Sequence, residues 1–173
     1  MLPGMRMLFD ASSSVDVEEF QVIANDMLAN YPFITAAMYL PYIMDGERDY
    51  FEKSKHEEGY PTFSINALRG GAYVPAERRP HYFPIVYFEP FTPLTSRQLG
   101  LDLFGEPHLQ RHLQHAIDSA ASTAAMAAQS GHVDEYLLFK VVYAGQPKPA
   151  ADVVGERRKL VSGIVAIQVD TRQ

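Results

Sequence analysis

Tyr136-Leu137-Leu138-Phe139-Lys140-Val141-Val142-Tyr143, followed downstream by Leu160-Val161-Ser162-Gly163-Ile164-Val165-Ala166-Ile167-Gln168-Val169, decides the fold class. Both runs are dense in β-branched and aromatic residues, which suit a pleated, buried surface. The stretch between them, residues 145–156, carries Pro147, Pro149 and Gly155 and reads as a loop, so the two runs are expected to pair antiparallel. Upstream, Pro107 opens a helix to about residue 121 with Leu109, Leu113, Ala116, Ile117 and Ala120 on one face. Residues 122–129 are small and read either as a strand or as a continuation of that helix.

The first half alternates in the same way. Asp16 with Glu19 three residues on forms a capping box for a helix over residues 17–31, and Pro32 stops it. Phe20, Ile23, Ala24, Met27, Leu28 and Tyr31 recur at helical spacing. Residues 33–43 read as a strand bending at Pro41, and Asp45 caps a charged helix over residues 47–58 that ends at Gly59. Residues 62–68 alternate as a strand and meet a turn at Arg69-Gly70-Gly71. Residues 81–91, with Tyr82, Phe83, Tyr87, Phe88 and Phe91, read as a strand buried on both faces or lining a pocket. Helices at the start and middle with strands meandering between them argue α+β, not a parallel doubly wound sheet.

Composition bounds the function. The chain has 173 residues, 47% of them hydrophobic, enough for a packed core. Fifteen Lys and Arg against 21 Asp and Glu give a net charge of −6 and no basic footprint for nucleic acid. With no cysteine there is no disulfide framework, thiolate metal site or thiol nucleophile. No apolar run approaches the roughly 18 residues a membrane helix needs, and residues 1–15 read as a lead-in segment.

Few residues point to chemistry. Gly-x-Ser-x-Gly and a phosphate-binding glycine loop are both missing, so nothing supports a nucleophilic enzyme. His108, His112 and His115 share one helix face, rotated from the Leu109–Leu113–Ile117 stripe. They read as a solvated polar face, with a metal site as the alternative. Asp102 stands alone in the apolar run Leu99-Gly100-Leu101-Asp102-Leu103-Phe104. A buried carboxylate needs partners, so Asp102 either takes backbone amides at the following turn or binds a ligand. Glu47 and Arg48 read as part of a charged helix face with Tyr50 and Phe51 partly buried.

Taken in order, these segments resemble a CHASE domain, the extracytoplasmic sensory module of histidine kinases and nucleotide cyclases that also occurs in plant cytokinin receptors. The resemblance rests on Pro32-Phe33-Ile34 leading to Tyr39-Leu40-Pro41, on Glu47-Arg48-Asp49-Tyr50-Phe51-Glu52, and on Tyr82-Phe83-Pro84-Ile85-Val86-Tyr87. It continues through Gly100-Leu101-Asp102, Ala116-Ile117-Asp118-Ser119, Phe139-Lys140-Val141-Val142-Tyr143, Arg157-Arg158 and Gly163-Ile164-Val165. Ala120 stands where the family pattern has Gly, and Val141 where it has Pro, so an adenine ligand does not transfer.

The resemblance implies a stalk helix over about 16–31 and then two PAS-like subdomains with antiparallel sheets. The membrane-distal one would cover about 32–125 and the membrane-proximal one about 126–173. It implies a noncatalytic, cofactor-free sensor that binds an unidentified small molecule. The parent receptor would be homodimeric, anchored by membrane helices outside this sequence, and would face the periplasm or exterior. The family's ligand-binding aspartate maps onto Asp102, and the implied walls are Tyr82, Tyr87, Phe88, Leu101, Phe104, Ala124 and Met126. The competing expectations are a soluble metal-dependent enzyme using His108, His112 and His115, and a dimerisation module that holds no ligand.

Overall fold

The computed structural model describes residues 16–127, 134–144 and 154–172. Its framework is a five-stranded antiparallel sheet built from β1 (Ile34–Pro41), β6 (Tyr87–Glu89), β7 (Thr123–Met126), β8 (Glu135–Tyr143) and β9 (Val161–Asp170), in the order β6-β1-β9-β8-β7. The expected antiparallel pairing of the last two long strands is present, with Leu138 opposite Ile167 and Val141 opposite Ile164. The last strand lies at the centre, flanked by β1 and β8, so its hydrophobic run is covered on both faces.

The two faces carry different layers. On one, Ala36, Met38, Leu40, Ile164, Ala166 and Phe139 meet α3 (Pro107–Ser119) and the chain from Phe83 to Phe104. On the other, Ala37, Val165 and Ile167 meet α1 (Val17–Asn30) through Phe20, Ala24 and Met27. The capping box forms: Asp16 Oδ1 accepts from the Glu19 amide at 2.9 Å while Glu19 Oε2 accepts from the Asp16 amide at 3.4 Å.

A third cluster of Ile43, Phe63, Ile65, Ala67, Ala76, Tyr82 and Val86 sits beneath α2 (Arg48–Glu57). Here the charged-face expectation needs correcting. Arg48 is buried, donating to the Ala76 carbonyl at 2.8 Å, the Ile65 carbonyl at 2.9 Å and Glu52 Oε1 at 2.9 Å, whereas Tyr50 is 79% exposed. Its five-donor fork reaches the Ala76 carbonyl and adds a second donor to the Ile65 carbonyl, which also accepts from the Ala76 amide at 2.9 Å.

Three other expectations change. Residues 81–91 split into β5 (His81–Tyr82), paired with β2 (Ile43–Met44), and β6, paired with β1. Between them lies Pro84, which has no amide for a ladder. The strand expected from residue 62 begins later, as β3 (Asn66–Arg69), which forms a hairpin with β4 (Ala72–Pro75) through Gly70 and Gly71 at φ +57° and +83°. The end of the expected 145–156 loop is helical: α4 (Val154–Leu160) carries Arg157 and Arg158, while residues 145–153 lie outside the described residues. The expected boundary near residue 125 lies on β7, and the five-stranded sheet draws strands from both sides of it. Of the two readings of residues 122–129, the strand is the one present over Thr123–Met126. No helix of the described residues is long and apolar enough to cross a membrane.

Candidate functional site

The site begins with a wedge of backbone. Residues 100–102 slot between the 64–66 and 83–85 segments: the Asn66 amide donates to the Gly100 carbonyl at 2.8 Å, the Ile85 amide to the Leu101 carbonyl at 3.0 Å, and the Asp102 amide to the Asn66 carbonyl at 2.8 Å. Gly100 is required there, since it holds φ +85° and a Cβ would lie 2.0 Å from the Ser64 carbonyl oxygen. Successive side chains of the inserted strand then point to opposite sides.

Leu101 and Leu103 face the sheet and wall a cavity of about 400 Å³. Met38 of β1, Leu137 of β8 and Gln168 of β9 form its floor, Ile85 and Leu109 its sides, and Tyr73, Leu94, Gln98, His108 and Ala127 complete the lining. The walls are mainly apolar, and the polar side chains on them are those of Tyr73, Gln98, His108 and Gln168. Gln168 is anchored by donating from Nε2 to Glu135 Oε2 at 2.8 Å. Sequence reading passed over Gln168, Gln98 and Tyr73. Gln168 carried a signal: it shares a strand face with Ile164 and Ala166, where a polar side chain has no packing role.

Asp102 points the other way. It is 0% exposed, and its Oδ1 accepts from the Phe83 amide at 2.8 Å and the Phe104 amide at 3.2 Å, capping the short 3₁₀ turn Leu103–Gly105. Arg79 Nη1 stands 3.3 Å from Oδ2, an atom that makes no hydrogen bond. Burial pushes the carboxyl above its ordinary value, opposed by the Phe83 amide and the Arg79 guanidinium. Among the described residues, Leu101 is the one member of the expected pocket set on this cavity wall. Tyr82 is buried behind the wall, its hydroxyl donating to Asp45 Oδ1 at 2.5 Å and accepting from the Arg79 amide at 3.0 Å. Phe104 packs against Phe83 and His81, with centroids 5.6 and 4.8 Å away. Phe88 is in the core, Tyr87 meets Phe20 on the α1 face of the sheet, and Ala124 and Met126 are exposed on the edge strand.

The histidines diverge. His108 lines the cavity, His112 is half-buried and His115 is exposed, and among the described residues no three His, Asp or Glu side chains gather as a metal site. The end of their helix is clamped by Arg157, which donates to the Asp118 carbonyl, and by Arg158, whose Nε and Nη2 each lie 2.7 Å from an Asp118 carboxylate oxygen. A family model of the CHASE domain matches residues 13–173, nearly the whole chain. No curated protein matches it.

Proposed function

The chain belongs to the CHASE domain family, an extracellular sensory domain of receptors, and from that premise we propose that the cavity on the α3 face of its sheet is where a small molecule is sensed. The observation that carries this is the cavity itself: about 400 Å³, apolar on most of its wall, with Tyr73, Gln98, His108 and Gln168 as polar contacts. That size and lining match small-molecule sites, in which a few polar groups fix orientation and apolar area supplies most of the affinity. Asp102 serves this site from behind, by holding the strand that presents Leu101 and Leu103, with Tyr82 and Phe104 packed at its back.

A PAS-like unit accounts for the five-stranded antiparallel sheet with helices on both faces. The domain acts without catalysis in a membrane-anchored receptor of the kinase or cyclase type. Ligand contact with Gln168 bears on β9, the strand that also packs against α1, and two copies meeting along α1 would pass the change on. Val22, 71% exposed on α1, supplies apolar surface for that meeting.

The test is a thermal-shift screen of a metabolite panel on the chain and on Ala127→Phe, which adds a ring at the cavity's edge. A hit whose stabilisation disappears in Ala127→Phe and persists in Asp102→Asn supports this site. Hits indifferent to Ala127→Phe, or a panel with none, refute it.

A further inference from the structure

A second cleft lies on the opposite face of the sheet, against the first turns of α1. It has a volume of about 290 Å³ and is walled by Val17, Tyr60, Phe63, Val86, Tyr87 and Leu99. A smaller recess of about 60 Å³ shares Val17, Tyr60, Val86, Tyr87 and Leu99 and reaches Glu89. Its charges are unbalanced. Asp16 and Glu58 stand on the lining of the larger space, and Glu89 is buried on that of the recess, accepting from the Phe91 amide at 3.0 Å. Among the described residues no Lys or Arg forms an ion pair with Glu89.

Among the described residues the one cation on these walls is Lys55, whose Nζ is 2.6 Å from Glu58 Oε2 and 5.6 Å from the Phe51 ring centroid. Among the described residues, Asp16, Glu58 and the Lys55 ammonium line the larger space beside Tyr60, Phe63 and Tyr87, and Glu89 adds a third carboxylate in the adjoining recess. Lys55 itself displays the pairing of an ammonium with a ring face and a carboxylate. The Tyr87 phenol registers the same field: burial raises its pKa first, and Glu58 and Asp16 raise it further.

We propose that this cleft is a second binding site, specific for a small organic ammonium ion. Ring faces of Tyr60, Phe63 and Tyr87 attract a cation and cover its apolar groups, and the surplus carboxylates reject anions and favour the charged ligand over a neutral one. Because Val17 and Asp16 belong to the start of α1, a ligand here touches that helix directly, with no involvement of the α3-face cavity.

The test is calorimetric titration of the full 173-residue chain with choline, and separately with its neutral isostere 3,3-dimethyl-1-butanol. Choline is expected to bind saturably at one site, with the isostere weaker by about tenfold or more. Tyr87→Leu is expected to abolish choline binding. Glu58→Gln, on a side chain 51% exposed and so tolerated by the fold, weakens it by about threefold. Ala127→Phe leaves it unchanged, which separates this site from the first. Failure of choline to saturate, equal affinity for the isostere, insensitivity to Glu58→Gln, or loss in Ala127→Phe each overturns the proposal.

Discussion

Replacing Asp102 distinguishes a structural bracket from a ligand contact, and the size of the effect follows from its bonds. Asp102→Ala removes the acceptor of two buried amides, those of Phe83 and Phe104 at 2.8 and 3.2 Å. Each orphaned amide costs about 1–3 kcal/mol. Part of that is returned because a carboxylate with a raised pKa is itself unwelcome in the fold. The net loss is about 2–4 kcal/mol, or about 1–2 M in the urea midpoint at an m-value near 2 kcal/mol/M. Asp102→Asn keeps an oxygen for both amides and costs within about 1 kcal/mol at pH 7.

The pH dependence has a definite sign. A folded-state pKa above the unfolded value gives stability that is complete below the unfolded pKa of about 3.9 and is lost as the pH rises through the folded one. Wild type is therefore most stable relative to Asp102→Asn in acid, and its advantage shrinks towards neutrality. Urea unfolding followed by far-ultraviolet circular dichroism from pH 4 to 7.5 measures this. An Asp102→Ala protein as stable as wild type that no longer binds a ligand recognised by wild type would refute the bracket and return Asp102 to the site.

Arg48→Ala should cost about 3–5 kcal/mol in the same unfolding assay, since it removes the guanidinium from the Ala76 carbonyl, takes the second donor from the Ile65 carbonyl and leaves the Glu52 carboxylate without its ion-pair partner. Ala120→Gly should stabilise by about 0.5–1 kcal/mol, because Ala120 ends α3 at φ +56°, a conformation that costs glycine little. Gly163→Ala should destabilise by about 1–3 kcal/mol, as the new methyl would lie 2.7 Å from the Tyr39 hydroxyl and 2.8 Å from the Leu40 carbonyl oxygen. Arg158 holds the Asp118 carboxyl below its ordinary value, with Gln114 assisting, so this stability is present above the unfolded pKa and is lost as the pH falls through the folded one. Arg158→Ala should flatten that part of the acid limb of the thermal-unfolding profile.

What was legible in the sequence was local. The Asp16–Glu19 box, the stop at Pro32, the Gly70-Gly71 hairpin and the two long C-terminal strands each depend on residues close in the chain, and each is in the fold. Arg48 was misplaced because its partners are 17 and 28 residues away, and a helical charge pattern does not encode a distant carbonyl. The presence of Asp102 in an apolar run correctly announced a buried carboxylate. Which side of the strand it faced depended on the wedge between residues 64–66 and 83–85, a relation among three separate segments. The five-stranded sheet was hidden for the same reason: pairing β1 with β9 joins Ile34 to Val169, and periodicity carries no information about partners.

The central position of β9 also sets the order in which the domain can assemble during synthesis. Until residues 161–170 leave the ribosome, β1 and β8 have no strand between them, and the faces meant for α1 and α3 have no continuous support. Contacts spanning more than a hundred residues make loop closure the slow step of folding. Until residues 161–170 emerge, the edges of β1 and β8 that face β9 stay open, and this is the interval in which the nascent chain most needs chaperone protection.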